Sequence, residues 1–462
     1  MKIKLVAAAV LALCSSASFA ATAVTCVTTD ALSMVNTCAP EATLYIAGSS
    51  ALGGALSTVV VADLFTTATK PIIKIVDNGS ANGNLAGSAT ALKAVSAWYG
   101  ISKADGKRLF VVYNKQNGSA AGVSQLLSTI KDTTIPEQDI VTVGIGSTGT
   151  KGAVGTCTAD AASTTAVPVL NCTTHARVQA DMALSDVAPS ELFALEGVKP
   201  AVLSTLTTTP IAMQGFGIAV NAKLYAELQR LQGTTGRPSI NRATYASLIS
   251  KEGSVKSAAA FLGTSDTTKL VLARRDDLSG TQAASNLFFA NNSCGINHDA
   301  KGKLIAGVAG GALSILDNKT LPTAILEVQA NATGGGVTTA LANTTDYVIG
   351  AISLTTAEPA TGWKFVAIDG ASPLATDAKQ RDAFRTGAYG WSVQSFAATP
   401  LRAKMKDAVK LALTDVVTIG LKDSTLHNLI GIAYQDGGVS AQQSQVTRTN
   451  GNNCSPLISL NK

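Results

Sequence analysis

The chain has 462 residues, which is enough for two or three globular domains or for one large two-lobed domain. Hydrophobic residues make up 46% of it and charged residues 14%, a balance that excludes a disordered or collagen-like chain. The formal net charge of +6 is too small to indicate a nucleic-acid-binding protein, and the sequence has no basic stripe.

The first twenty residues follow the pattern of a secretory signal peptide. Lys2 and Lys4 precede a short apolar run, and small residues lead up to a cleavage position after Ala20. A lipoprotein signal at Cys14 stays open as an alternative, although Leu13 is a bulky residue to stand before a lipidated cysteine. No later run reaches the roughly 18 apolar residues that a membrane span needs. We therefore expect a periplasmic or secreted protein.

Cysteine usage agrees with export. Six of the seven cysteines remain once Cys14 leaves with the signal, and an even number suits an oxidising compartment. Proximity along the chain favours the disulfides Cys26–Cys38, Cys157–Cys172 and Cys294–Cys454, although six cysteines allow about 15 connectivities. A zinc site is the competing interpretation, but there is no C-x-x-C pair and only three histidines are present, so we predict no metal.

A strand, a Gly/Ser turn and a helix follow one another three times. The first unit is "ATLYIAGSSALGG", and the second has a strand at Leu109–Tyr113 and a helix from about Ala120. The third is "KLVLARRDDLSGTQAASNLFFA". Further strands are predicted at Pro210–Asn221 and Asp346–Leu354, with a helix at Ala222–Leu231. The alternation predicts an α/β protein with a largely parallel sheet.

Enzyme motifs are missing from the sequence. It contains neither a G-x-S-x-G elbow nor a Walker motif. The glycines of "GIGSTG", from Gly144 to Gly149, match G-x-G-x-x-G, but no acidic residue follows about 20 residues later at a strand end, so we interpret the segment as a loop. We predict no catalytic residue and no cofactor.

The triplet Ser279-Gly280-Thr281 stands at a predicted helix start. Ser and Thr there ordinarily cap the unpaired helix N–H groups. The same N–H groups can bind an anion, and Arg275 close by in sequence favours that second interpretation.

Several segments resemble, in the same order, motifs of the periplasmic phosphate-binding proteins of bacterial ABC transporters. They are "YIAGSSALGGAL", "NGSAAGVSQLL", "ADMALSDVAPSEL", "RDDLSGT", "ATGGGVTTALANTTDYVIGAISL" and "VAIDGASP" with "FRTGAYGW", running from about residue 43 to 395. The sequence departs from the family pattern at Ser50-Ala51, where Thr-Phe is usual, and by one added residue before Pro189. Two segments, about 77–105 and 131–175, are longer than in the transporter proteins.

The resemblance implies a two-lobed type 2 periplasmic binding protein fold, each lobe a mixed, mostly parallel sheet flanked by helices. Lobe 1 would comprise residues 21–213 with the two insertions, and lobe 2 residues 214–343. Residues 344–462 would return to lobe 1 and end in a tail. Inorganic phosphate or a similar small oxyanion would bind between the lobes, an ABC transporter permease is the partner that the family implies, and we expect a monomer.

The resemblance also implies a set of site residues. Arg275 would bind two oxygens of the oxyanion through its guanidinium group, and Asp277 would orient Arg275. Asp186 would accept a hydrogen bond from the proton of hydrogen phosphate. The other implied ligand residues are Ser49, Ser50, Ser119, Ser279, Gly280 and Thr281.

Some alternatives to these assignments stay open. Ser147 in "GIGSTG" is the alternative to Ser119, and Asp186 could instead cap the helix that "APSELF" predicts. A secreted structural or adhesive protein that has lost its ligand is the alternative function, and the Ser50-Ala51 change points that way. A phosphatase on this fold would need a metal or nucleophile set that the sequence does not show.

Overall fold

A computed structural model describes residues 40–53, 56, 64–66, 74–76, 95–115, 118–127, 140–143, 157–159, 161, 163–164, 169–172, 175–178, 180–192, 200–292, 294, 313–316, 325–374, 382–400, 432–433 and 444–460. The predicted signal peptide, the Cys26–Cys38 pair and Ser147 lie outside these ranges. None of the helices in the described ranges is both long and apolar enough to cross a membrane.

The strands and helices are numbered here in chain order. The strands are β1 (Ala42–Gly48), β2 (Lys74–Val76), β3 (Val95–Ile101), β4 (Arg108–Asn114), β5 (Ile140–Val143), β6 (Cys157–Ala159), β7 (Val169–Cys172), β8 (His175–Val178), β9 (Met182–Ser185), β10 (Leu206–Val220), β11 (Ser239–Ile240), β12 (Leu270–Arg275), β13 (Leu326–Asn331), β14 (Tyr347–Ser353), β15 (Lys364–Phe365), β16 (Ala367–Ile368), β17 (Ser392–Pro400), β18 (Ile432–Ala433), β19 (Val446–Arg448) and β20 (Leu457–Ser459). The α-helices are α1 (Gly118–Leu127), α2 (Pro200–Leu203), α3 (Ala222–Gln232), α4 (Arg242–Ile249), α5 (Ala258–Leu262), α6 (Gly280–Ala290), α7 (Gly334–Ala340) and α8 (Asp382–Arg385).

A 14-stranded mixed sheet organises the described part of the chain. Its main order is β13-β12-β14-β10-β17-β9-β1-β4-β3-β2-β7-β6. The pairs β1–β4, β1–β9, β12–β13 and β12–β14 are parallel, whereas β10 pairs antiparallel with each of its neighbours. The predicted α/β class is therefore confirmed.

Strand β10 joins two groups of strands. Its first part, from Leu206 to Gly215, pairs with β17, and its second part, from Phe216 to Val220, pairs with β14. Strands β12 and β14 are buried along their whole length, which is typical of apolar runs that are covered on both faces. The strands that end next to the candidate site thus belong to one continuous sheet.

The C-terminal residues fold back onto the earlier chain. A disulfide joins Cys294 to Cys454 with a Cα–Cα distance of 5.4 Å, as the sequence predicted. Next to it, the backbone N–H of Asn453 donates to Glu191 Oε1 at 2.9 Å and its Nδ2 donates to Oε2 at 2.7 Å. Glu191 is buried, and burial raises its pKa while the bonds from Asn453 oppose that rise. The tail therefore supplies two of the donors that an otherwise costly buried carboxylate needs, and the Ala188 amide supplies another at 2.8 Å.

The second predicted disulfide falls on strands at the end of the sheet. Cys157 of β6 and Cys172 of β7 are directly opposite each other in an antiparallel register. This backbone register is compatible with the predicted pairing, which stays a prediction.

Candidate functional site

Parallel strands bring three chain segments to one edge of the sheet. Ser49 directly follows β1, Lys115 follows β4 and Asp186 follows β9. Because the carboxyl ends of parallel neighbours lie at the same edge, residues far apart in sequence meet there. This is the edge at which α/β proteins commonly place their ligands.

The turn after β1 is fixed by its backbone. Gly48 has a φ of +122°, and a Cβ on it would lie 2.0 Å from the carbonyl oxygen of Leu184, so only glycine fits there. The Ser49 amide then donates to that same carbonyl at 2.8 Å, and the Tyr113 hydroxyl donates to the Ser49 carbonyl. Ser49 Oγ accepts from the amides of the next turn and is thereby held in place.

Asp186 is a hydrogen-bonded carboxylate at the centre of the edge. Its Oδ1 accepts from Ser49 Oγ and its Oδ2 from Thr281 Oγ1 at 3.4 Å, while its amide donates to Ser119 Oγ at 3.1 Å. Burial raises the pKa of Asp186 to about 6, and the bonds from Ser49 and Thr281 oppose that rise. The alternative interpretation as a helix cap is wrong, because Ala188 is the N-cap of the short 3₁₀ turn Pro189–Glu191.

The N-termini of α1 and α6 abut at this point. Ser279 caps α6 by accepting from the Gln282 amide at 3.4 Å. The Ala120 amide of α1 donates to the Leu278 carbonyl at 3.0 Å. The two turns that the sequence singled out are therefore in direct contact around Asp186.

Two guanidinium nitrogens of Arg275 are held by the protein, and the third remains available to a ligand. It is 3% exposed, its Nε donates to the Asn331 carbonyl at 3.1 Å, and its Nη2 donates to the Ala332 carbonyl at 2.9 Å. Its Nη1 forms no hydrogen bond within the part of the chain that the structure describes. Arg275 lines a cavity of about 360 Å³. The guanidinium is therefore held rigidly with one nitrogen left for a ligand.

Asp277 does not pair with Arg275, and this expectation from the sequence is wrong. Its carboxylate forms an ion pair with Arg274. Successive side chains of a strand leave from opposite faces, so Arg274 and Arg275 at the end of β12 diverge and only one can meet Asp277. The orientation of Arg275 comes instead from the carbonyls of Asn331, the last residue of β13, and of Ala332 after it, which sequence reasoning missed.

The cavity brings together only part of the predicted ligand set. Ser50, Arg275 and Thr281 line it, whereas Ser49, Ser119, Asp186, Ser279 and Gly280 belong to the adjacent buried cluster. The remaining lining residues are Ala51, Lys115, Thr333, Gly334, Gly335, Thr338, Ile352, Ser353, Thr355 and Thr356. The lining thus has two cations, seven hydroxyl residues and, among the described residues, no carboxylate. Lys115 had a usable signal, since it directly follows a strand that ends at the ligand edge.

A methyl group at Gly280 is expected to disrupt the contact between the two helix N-termini. A Cβ there would lie 2.2 Å from Ser119 Oγ and 2.7 Å from Asp186 Oδ2. Gly280→Ala should therefore lower the free energy of unfolding by about 1–3 kcal/mol, measured by denaturant titration. Gly236→Ala is the matched control, because its Cβ would meet nothing closer than 3.5 Å. Equal stability of the two variants would contradict the close approach at Gly280.

The raised pKa of Asp186 is expected to make stability depend on pH. A folded-state pKa of about 6 exceeds the ordinary value of 3.8, so the folded chain keeps a proton that the unfolded chain has lost. The resulting stabilisation is complete below about pH 4 and is lost as pH rises through about 6. Relative to wild type, Asp186→Asn should therefore become more stable as pH rises across this window. Thermal unfolding of both proteins in oxyanion-free buffers measures the difference, and a constant difference would contradict the shift.

Comparisons with known proteins find a weak structural likeness. No family model matches the chain, and no curated protein matches it. A protein described as a phosphate ABC transporter substrate-binding protein from Clostridium perfringens, with bound phosphate, is 12% identical at a TM-score of 0.42, covering 84% of this chain and 99% of that one. An ABC-type phosphate transport receptor from Vibrio cholerae is 14% identical at a TM-score of 0.38, covering 83% and 94%. PstS from Borrelia burgdorferi is 12% identical at 0.33, with the same coverages. At such values the likeness decides neither a ligand nor the role of a residue, and the functional case rests on the site's geometry.

Proposed function

We propose that this protein is a non-enzymatic solute-binding protein that takes phosphate or a similar small oxyanion at the Arg275 end of the cavity. The observation that carries the proposal is the Nη1 of Arg275, which has no hydrogen bond among the described residues and belongs to a buried side chain that lines the cavity. Arginine binds oxyanions through charge-assisted hydrogen bonds, which are about twice as strong as neutral ones.

The rest of the lining supports an anion. Ser50 and Thr281 add hydroxyl donors, and no carboxylate lines the cavity among the residues that the structure describes. Asp186 stands behind Thr281, whose hydroxyl lies 3.4 Å from Oδ2, at the long end of hydrogen bonding. A protonated oxyanion that donates to Oδ2 would replace this weak contact, whereas sulfate has no proton to donate.

The location and the partner in this proposal rest on the motifs that resemble, in the same order, those of the periplasmic phosphate-binding proteins. In this proposal the protein is a divergent, monomeric relative of the periplasmic phosphate-binding proteins. It is exported, closes two lobes on its ligand and presents that ligand to an ABC transporter permease. Residues 21–213 with the chain that returns at β17 would form one lobe, and residues 214–343 with β14, which pairs with β12, would form the other.

Titration calorimetry with phosphate, arsenate and sulfate tests this function. We expect phosphate and arsenate to bind and sulfate to bind at least about tenfold more weakly, a difference of about 1.4 kcal/mol. Asp186→Asn preserves the size of the side chain and adds a donor, so its preference for phosphate over sulfate should shrink by about tenfold. An unchanged ratio would show that Asp186 does not sense the ligand's proton. The absence of binding by all three anions would refute the function.

One observation favours a second candidate, a secreted structural protein on the same fold. Both oxygens of Asp186 already accept hydrogen bonds within the protein, and the Ala120 amide of α1 donates to the Leu278 carbonyl, which lies just before α6. That candidate predicts no heat of binding with any oxyanion and a normal stability.

A further inference from the structure

A second cavity, of about 420 Å³, lies beside the Cys294–Cys454 disulfide. Its wall includes Phe288 in the last turn of α6 and Leu457 of the C-terminal tail. It shares no lining residue with the cavity at Arg275, so the proposed oxyanion binding does not account for it. A cavity of this size can hold a small organic molecule.

Arg242, the first residue of α4, presents a planar cation to this second cavity. Its guanidinium carbon lies 4.2 Å from the centre of the Phe288 ring, and its Nη2 donates to the Phe288 carbonyl. Its Nε and Nη1 form no hydrogen bond with any residue that the structure describes. Asp369 accepts from the Arg242 backbone amide at 2.8 Å and does not line the cavity. The guanidinium is therefore placed against an aromatic ring with two nitrogens left for an anion.

A second guanidinium belongs to the same wall. Arg448 is 9% exposed, its Nη1 donates to the Asn453 carbonyl at 3.0 Å and its Nη2 to the Ser392 carbonyl at 2.8 Å. Its buried Nε has no hydrogen-bond partner in the described part of the chain. Burial lowers the pKa of Arg448, Glu191 opposes that shift, and the positive charge of Arg242 adds to it. The two arginines thus repel each other, and an anion in the cavity would relieve the repulsion.

The rest of the wall is largely apolar. The Phe288 ring is stacked with that of Trp391, at 5.7 Å between centroids and 13° between planes. A Cβ on Gly390 would lie 3.9 Å from Phe288 Cε2, so the glycine leaves the edge of that ring open to the cavity. The other apolar lining residues are Leu287, Val393, Pro456 and Leu457, and no carboxylate lines the cavity among the described residues. A ligand with an apolar body and one negative charge matches this wall.

We propose that the second cavity is a further ligand site, which takes a small aromatic carboxylate. The carboxylate pairs with Nε and Nη1 of Arg242, the two nitrogens that a bidentate contact requires. The aromatic ring packs on the apolar wall and turns its face toward the edge of Phe288, since the edge of an aromatic ring is positive and the face negative. Arg448 adds positive charge from behind the wall. Binding at this site is independent of the oxyanion at Arg275, because the two cavities share no lining residue.

Calorimetric titration with phenylacetate, acetate and 2-phenylethanol, with and without excess inorganic phosphate, tests the inference. Phenylacetate should bind at least about tenfold more tightly than either of the others, because it alone carries both the ring and the charge. Arg242→Met should weaken phenylacetate at least about tenfold and change the affinity for 2-phenylethanol by no more than about threefold. Arg230→Met is the matched control, because Arg230 pairs with Glu227 on α3 and does not line the cavity. It should bind phenylacetate as wild type does.

Gly390→Leu locates the site without removing a charge. Its backbone lies outside the left-handed region and its Cβ would make only an ordinary contact with Phe288, so the variant should fold while its side chain fills the cavity. We expect it to weaken phenylacetate at least about tenfold. Unchanged affinity in this variant, or acetate binding as tight as phenylacetate binding, would overturn the inference. Displacement of phenylacetate by phosphate would overturn it too, whereas phenylacetate binding without any oxyanion binding would refute only the proposed function.

Discussion

Arg275→Lys is expected to weaken phosphate binding by about 10- to 100-fold, because a hydrogen bond to a charged group contributes about 1.5–3 kcal/mol. Lysine keeps the positive charge, so the variant removes the planar fork rather than the electrostatic attraction. In wild type, Nε and Nη2 are held by the carbonyls of Asn331 and Ala332, and this anchoring directs Nη1. An ammonium group cannot satisfy both carbonyls and a ligand with the same geometry. Calorimetric titration with phosphate gives the loss directly.

Arg274→Lys is the matched control for this substitution. Arg274 is a neighbouring buried arginine that pairs with Asp277 and donates to the Leu316 carbonyl at 2.7 Å, and it does not line the cavity. Its replacement should change the phosphate dissociation constant by no more than about threefold, since it contacts no ligand group. Equal losses in the two variants would show that the position of β12, and not the Arg275 fork, controls binding.

Removal of the Cys294–Cys454 disulfide is expected to have the largest effect on stability. The bond closes a sequence separation of 160 residues. Loop-closure entropy alone predicts that a Cys294→Ser, Cys454→Ser double variant loses about 5 kcal/mol of unfolding free energy. The loss of unfolding free energy should be larger if the tail also detaches, because Glu191 would then lose the two hydrogen bonds from Asn453. Denaturant unfolding of both proteins under oxidising conditions measures the difference.

An Asn453→Ala variant separates the two contributions. It preserves the disulfide and removes the side-chain donor to Glu191 Oε2, together with the bonds of the same amide group to the Gln394 backbone. We expect it to cost less than the double cysteine variant, on the order of 1–3 kcal/mol. Reduction of wild type is a poorer test, because the sequence has seven cysteines. A double cysteine variant as stable as wild type would show that the tail contributes little to the fold.

The sequence predicted the regular elements around the site closely. The strand expected at Leu109–Tyr113 is Arg108–Asn114, and the helix expected at Ala222–Leu231 is Ala222–Gln232. These elements have strong signals, namely a continuous apolar run for a covered strand and a 3.6-residue period for a helix. The Asn221 cap and the left-handed Gly233 at the helix ends add local signals that sequence alone carries.

The contacts inside the site were harder to predict. The pairing of Asp277 with Arg274 depends on which face of β12 each arginine leaves, and one residue of register reverses that choice. Arg275 is held by the backbone carbonyls of residues 331 and 332. Every residue type has such a carbonyl, so the sequence gives no sign of these contacts. Lys115 enters the cavity only because β4 lies parallel to β1, a pairing that no local pattern specifies.

The bond between Asn453 and Glu191 also bears on how a nascent chain matures. The two residues are separated by 262 positions, so Glu191 leaves the ribosome long before its partner exists. Until then Glu191 lacks the two donors of Asn453, although the Ala188 amide can already donate to its Oε2. Contacts of such long range form late, since the entropy of closing the intervening chain must be overcome first. We therefore expect the segment around Glu191 to reach its final packing only at the last stage of maturation.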